Sequence, residues 1–379
     1  MDKTGIIKNA AGALLFSFLL TACQTGEIAM EPASESLLEV TQDITTDITR
    51  SVVTGSSLNV QGCSYGLIIC KHEDSPSLYE AYDKEKSNLY ANIQAWYGNF
   101  NSKGTKWWYS YESTSDARFE PLYLVTEDTT QHLDIYAYSP WKKGVSIEEG
   151  YTYDLSSVND AALPDVMYAT YENLGGSTPT NRDHSIGRPS IPVSLHFHHV
   201  LARICFHFKL ATAQNTGLDG QHAVRLYTIK LLRDKGSATP LYTRGNMNLL
   251  TGALTTDLAV VKNEQTVTYA TSQSSTDGIG AYDIYQDNVW KEFNMLLHPV
   301  AYQADGDFTF QFWFNGTENG QTLIQTYDIP RDVLKHTDDS YGFQGGCCYD
   351  FYFVIDNYIH LQNVSISEWT DTDEEEIKV

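Results

Sequence analysis

The sequence predicts an all-β protein of sandwich type, and three observations carry that expectation. Aromatic and β-branched residues are plentiful, with 25 Tyr, 15 Phe and 7 Trp, while helical periodicity is weak. Apolar and polar residues alternate over many short runs, the period of a half-buried strand. Clusters of Gly, Pro, Asn, Asp and Ser separate those runs. At about 150 residues per domain, a chain of 379 residues suggests two to three units. Its 42% hydrophobic content is ample for two cores.

The charge balance excludes some functions. Lys and Arg number 25 against 48 Asp and Glu, a net charge of −23. Such a chain repels phosphates, so no nucleic-acid partner is expected. It is not a disordered acidic chain either, because aromatics reach 12% and charged residues only 19%.

The N-terminus reads MDKTGIIKNAAGALLFSFLLTAC. Lys3 and Lys8 precede an apolar stretch, Ala11 to Leu20, that is too short to span a bilayer. Residues 1–22 therefore read as a signal peptide. It ends Leu20-Thr21-Ala22-Cys23, the pattern of lipoprotein processing, in which the Cys23 thiol accepts diacylglycerol. The expected mature chain is lipid-anchored rather than membrane-spanning.

Residues 23–50 form an acidic leader. Positions 24–49 carry no Lys or Arg, and Arg50 is the first basic residue after the signal. Within the leader, 37–49 is β-branched and roughly alternating, with Leu37, Leu38, Val40, Ile44 and Ile48. It reads as a strand ended by a lone basic residue. Arg50 and Ser51 are the candidate protease cleavage point.

From Ser51 the strand runs follow in order. Tyr65–Cys70 is a buried run. Asn88–Phe100 and Lys106–Tyr111 are aromatic segments around Gly98 and Gly104. Leu133–Tyr138 alternates and meets Ser139-Pro140. Tyr151–Leu155 and Leu163–Ala169 close the first domain, expected over 51–188. Residues 172–190, rich in Gly, Pro, Ser and Asn, mark a linker or long loop. The second domain is expected over 189–379. There Val193, Leu195 and Phe197 alternate. Ile204, Phe206, Phe208 and Leu210 oppose Arg203, Cys205, His207 and Lys209. Further strands are expected at Val224–Leu232, Met247–Leu250, Gln265–Tyr269, Phe308–Asn315, Gln321–Ile329, Tyr349–Asp356 and Ile359–Trp369. A short acidic tail follows.

Motifs that carry chemistry are sparse. There is no GxSxG elbow, HExxH, P-loop or strand-linked GxGxxG. No enzyme activity and no cofactor are expected. His196, His198, His199 and His207 cluster in one strand pair, but no acidic or cysteine partner lies at a diagnostic spacing, so no metal site is assigned. Asp371 and Asp373 resemble the start of a calcium loop without its turn glycine. Besides Cys23, five cysteines remain: Cys63, Cys70, Cys205, Cys347 and Cys348. In an oxidising compartment an odd count leaves at least one free or paired between chains, and the pairing stays open. Trp107 and Trp108, in the run Trp107-Trp108-Tyr109-Ser110-Tyr111, are candidates for stacking on sugars, with core packing as the competing role.

Five stretches, in order, resemble the fimbrillin family of Bacteroidia-type pilin and pilin-accessory lipoproteins. They are Leu20–Cys23; Ile48-Thr49-Arg50-Ser51 with the strand Tyr65–Cys70; Leu133-Asp-Ile-Tyr-Ala-Tyr-Ser-Pro140; Asp165-Val-Met-Tyr-Ala169 with Val193–Phe206; and Tyr349–Ile355 running into Val364–Trp369. The resemblance implies two tandem transthyretin-like β-sandwich domains and export to the outer membrane. It implies a protease cut after a basic residue that removes the leader, and partnership with other fimbrial subunits by donor-strand exchange. It also implies adhesion at the cell surface, with a receptor as a further partner. The acidic tail, with only Ile377 and Val379 apolar after Trp369, departs from a good donor strand and favours an accessory or tip role over a stalk. The alternative is a surface lipoprotein that binds glycans for nutrient uptake.

Overall fold

The computed structural model describes residues 34–37, 40–43, 45–49, 52–56, 64–71, 77–78, 91–99, 104–111, 123–126, 132–156, 158–159, 163–171, 184–185, 193–211, 223–233, 240–256, 261–269, 283–285, 289–315, 322–356 and 358–369. These residues form an essentially all-β, multi-sheet architecture consistent with β-sandwich domains. Among the described residues a short 3-10 turn, Arg331–Leu334, interrupts the strands.

Among the described residues the first sheet runs Val40–Asp43, Val193–His199, Met167–Tyr171, His132–Ser139, Ser64–Lys71, Ile93–Asn99, Thr105–Tyr111. Neighbours are antiparallel except at the first junction, where Val40–Asp43 lies parallel to Val193–His199. Its centre is the expected apolar run: Tyr65, Leu67, Ile68, Ile69 and Cys70 are fully buried. Gly66 faces Tyr138 across the ladder. A Cβ at Gly66 would fall 2.1 Å from the Tyr138 ring, so glycine alone admits that ring. The Tyr138 hydroxyl in turn hydrogen-bonds Asn92 Oδ1 at 2.5 Å and the Lys142 carbonyl at 3.0 Å.

Two further sheets face each other. One runs Val158–Asn159, Glu264–Thr268, Ala223–Arg233, Phe308–Asn315, Thr322–Asp328. The other runs Lys291–Leu297, Ala202–Leu210, Cys347–Ile355, Ile359–Glu368. Strict alternation in Phe308–Asn315 puts Phe308, Phe310, Phe312 and Phe314 inside with no exposure. Phe310, Phe312 and Phe314 meet Phe206, Phe208, Phe351 and Phe353 edge to face, for example Phe206–Phe310 at 4.9 Å and Phe208–Phe312 at 5.2 Å. Aromatic rings prefer such T-shaped contacts because the positive edge of one meets the negative face of the other.

Segments cross between the two halves of the sequence. Val193–His199 adds to the first sheet through Met167–Tyr171. Tyr151–Asp154 pairs with Arg244–Met247, and Val158–Asn159 with Glu264–Thr268. Tyr153 completes that exchange by bonding His298 Nδ1 through its hydroxyl at 2.5 Å.

Three expectations differ from the structure. The leader stretch 37–49 is not one strand but parts of three, Ser34–Leu37, Val40–Asp43 and Thr45–Thr49. The strand expected at Met247–Leu250 ends at Met247. Asn248 turns the chain instead, accepting the Leu250 amide on Oδ1 and the Gly252 amide on its carbonyl. The linker 172–190 contains a short strand, His184–Ser185, paired to His132 and Leu133.

Two outcomes follow from this packing. Phe312→Ala should destabilise the fold by about 3–5 kcal/mol, read as a lower urea midpoint with an unchanged slope. Burial holds the His298 imidazole down at about 4, below its ordinary 6.5. The unfolded chain therefore takes that proton first. Stability should be full above pH 6.5 and fall as pH drops toward 4, by up to about 3 kcal/mol from this group. Chemical denaturation of the native chain and of His298→Gln across that window checks it; the variant should lack this part of the slope.

Candidate functional site

The leader supplies an edge. Val40, Thr41, Gln42 and Asp43 pair with Val193, Ser194, Leu195 and His196 in parallel register. Val40–Asp43 ends its sheet, so the leader closes one edge of the Val193–His199 strand. Ser34–Leu37 pairs antiparallel with Tyr123–Thr126. Thr45–Thr49 pairs antiparallel with Val52–Ser56, and the last pair is Thr49 with Val52. Arg50 and Ser51 lie between these two strands in the sequence. They lie outside the described residues, as do Cys23, Cys63, Asp371 and Asp373.

The C-terminal strand supplies a second edge. Ile359–Glu368 lies antiparallel on Cys347–Ile355 and terminates its sheet. Its end is clamped. The Trp369 amide donates to the Gly346 carbonyl at 2.6 Å, and its ring stacks on His199 at 3.6 Å between centroids. His199 Nδ1 sits 2.9 Å from Asp165 Oδ1, with both side chains almost wholly buried. His199 is therefore a structural residue that ties the 163–166 segment to Trp369. His198 is exposed and lies against Tyr168. His207 is elsewhere again, stacked on Tyr352 at 4.3 Å with Nε2 2.7 Å from Asp350 Oδ1. His198, His199 and His207 are thus dispersed to separate partners, and the His196 side chain lies outside the described residues.

A different cluster assembles on the outer face of the Ala202–Leu210 and Cys347–Ile355 strands. The Sγ atoms of Cys205 and Cys348 lie 3.4 Å apart, and Asp350 Oδ2 is 3.8 Å from Cys348 Sγ. Burial, then the contact with Cys348, pushes the Cys205 thiol well above its ordinary value, with Arg203 opposing. Burial alone would lower the Arg203 guanidinium, but Cys205, Cys348, Glu292 and Asp350 together raise it, so it stays charged. Arg203 donates to Asn294 Oδ1 at 3.0 Å and to Glu292 Oε1 at 2.9 Å. The sequence shows each cysteine but not this grouping, because 143 residues separate Cys205 from Cys348. The legible signal was the shared outward face of Arg203, Cys205 and His207. Cys70, by contrast, is a buried thiol raised to about 12 by burial, Asp134 and Glu148.

The tryptophans proposed for sugar stacking are engaged in packing. Trp108 is 4% exposed, and its indole N–H donates to the Gly98 carbonyl at 2.8 Å. Burial closes that ring to a ligand. Trp107 is half-buried between Tyr65 at 4.7 Å and Tyr97 at 5.3 Å.

These edges and sheets can be set beside known proteins. A comparison with curated proteins returned no match. Among solved structures the chain is similar to a candidate cell adhesion protein of Bacteroides uniformis, at 14% identity and TM-score 0.51, covering 89% of this chain and 98% of that one. It is also similar to a candidate cell adhesion protein of Bacteroides ovatus, at 13% identity and TM-score 0.50, with the same coverage. At such identities the likeness concerns the fold alone. The family model described as Fimbrillin-like matches residues 82–369, most of the chain. This chain belongs to the fimbrillin-like family.

Proposed function

We propose that this protein is a fimbrial subunit or accessory protein that is exported as a lipoprotein and assembles by strand exchange at the outer membrane, in the service of cell adhesion. Its role is structural and not catalytic. The observation that carries the reading is the leader edge: Val40–Asp43 covers the Val193–His199 strand and lies N-terminal to Arg50. In sequence Arg50 and Ser51 stand between Thr49 and Val52, so a cut between them would separate the leader from the rest of the chain. Cys23, the candidate lipidation site, lies on the leader side of that cut.

The physics supports the scheme. Removing an edge strand leaves a row of unpaired backbone N–H and C=O groups. A strand from another copy would satisfy them, as in β-augmentation. Each intermolecular strand also replaces the apolar segment that left, here the stretch holding Val40, Ile44 and Ile48. The donor would be drawn from the C-terminal region, where Ile359–Glu368 is an edge strand. Its clamp at Trp369 and the acidic residues beyond it favour an accessory or tip position over a repeating stalk.

We further read the two halves, residues 51–188 and 189–379, as tandem transthyretin-like sandwiches that follow the signal peptide and leader. The facing phenylalanine sheets support that reading for the second half. In the first half Val193–His199 and the 151–159 segment cross the nominal boundary, so the two units share strands at their junction.

The decisive experiment is limited digestion with an Arg-specific protease. N-terminal sequencing should find Ser51, and the trimmed protein should form SDS-resistant oligomers at high concentration. Arg50→Gln should keep the leader and stay monomeric. Trimmed protein that remains monomeric at high concentration would refute self-assembly by strand exchange.

A further inference from the structure

We propose that Cys205, Cys348 and Asp350 form a structural binding site for a thiophilic divalent cation, with zinc as the ion that fits. The ligand atoms of the three residues lie within 4.8 Å of one another. The backbone explains why. Ala202–Leu210 and Cys347–Ile355 run parallel, with Cys205 opposite Asp350 and Arg203 opposite Cys348. Cys348 and Asp350 are two residues apart on one strand, so they share a face, and Cys205 shares it from the next strand. Tyr349 and Phe351 point the other way into the core with no exposure.

The distances suit a tetrahedral ion. Zinc bonds sulfur at about 2.3 Å and carboxylate oxygen at about 2.0–2.2 Å, which places two sulfurs about 3.8 Å apart and sulfur and oxygen about 3.5 Å apart. The observed separations are 3.4 Å between the sulfurs and 3.8 Å from Cys348 Sγ to Asp350 Oδ2. Shifts of a few tenths of an ångström bring these two separations to the tetrahedral values, and the Cys205–Asp350 pair lies within 4.8 Å. Asn294 Oδ1, 3.2 Å from Cys205 Sγ, offers an oxygen donor for the fourth position.

The surroundings fit the same chemistry. Two thiolates and one carboxylate carry three negative charges. A divalent ion and the guanidinium of Arg203, which lies opposite Cys348 and is always charged, together neutralise them. His207 holds Asp350 through the 2.7 Å contact, the outer partner that metal-binding carboxylates usually have. Two sulfur donors select zinc over calcium or magnesium, which take oxygen. The ion would pin strands that are distant in sequence and so brace the sheet that ends in Ile359–Glu368.

The test uses the full chain without its signal peptide, purified under reductant, loaded with zinc chloride and passed over a desalting column. Elemental analysis should find about one zinc per chain, and cobalt in place of zinc should give a thiolate-to-cobalt charge-transfer band. Asp350→Asn, at a partly exposed position that the core does not need, should lower zinc affinity roughly 10-fold or more, and Cys205→Ser further. Cys347→Ser, facing away, should bind like the native chain. Absence of retained zinc, equal retention by Asp350→Asn and Cys205→Ser, or a cobalt spectrum without the thiolate band would overturn the proposal. A Cys205–Cys348 disulfide in protein isolated from cells without reductant would also overturn it.

Discussion

The parallel pairing of Ala202–Leu210 with Cys347–Ile355 is the constraint on which most of the second half depends. Its register runs unbroken from Arg203 opposite Cys348 to Leu210 opposite Ile355. Parallel neighbours cannot be joined by a tight turn, so the intervening chain must leave the sheet and return. Here it leaves to build the facing sheet, and the ladder then sets two layers of side chains at once. On the inner side Phe206 stacks on Phe351 and Phe208 on Phe353, presenting a continuous aromatic surface to Phe310, Phe312 and Phe314. On the outer side the same register groups Cys205, Cys348, Asp350, His207 and Tyr352. A slip of one residue would turn both layers over.

Polar groups that enter this apolar interior are held in pairs. Arg233 and Asp307 are almost fully buried and meet through two hydrogen bonds at 3.1 and 2.9 Å, with Arg233 also reaching the Ala301 carbonyl. A buried charge without a partner is costly, and a bidentate pair answers most of that cost. His199 with Asp165, and Tyr153 with His298, do comparable work at the junctions between segments distant in sequence. Each of these contacts bridges elements and so fixes relative placement as well as satisfying an atom.

The sheet edges stand apart from this interior. The leader contacts the body through backbone ladders at Val193–His199 and Tyr123–Thr126. Such pairing is sequence-tolerant, because any extended segment presents the same N–H and C=O groups. An edge held in this way can be exchanged for another strand without rebuilding the core. The dense aromatic interior thus stands apart from edges held by backbone pairing, a separation that the proposed strand exchange would use.

The sequence by itself determined the all-β class, most strand positions and the inward phenylalanines, because alternation is local and survives without knowledge of partners. Phe308–Asn315 was legible for that reason, and so was the contrast of Ile204, Phe206 and Phe208 with Arg203 and His207. Pairing was not legible, because which strands meet depends on long-range packing energy and not on any window of residues. Only the tertiary structure decided that Trp108 is sealed inside, that His199 belongs to Trp369 and Asp165, and that Cys205 meets Cys348. It also decided that Val193–His199 joins the first sheet. In each case the deciding term was the burial gained when distant segments close on one another, which no local pattern encodes.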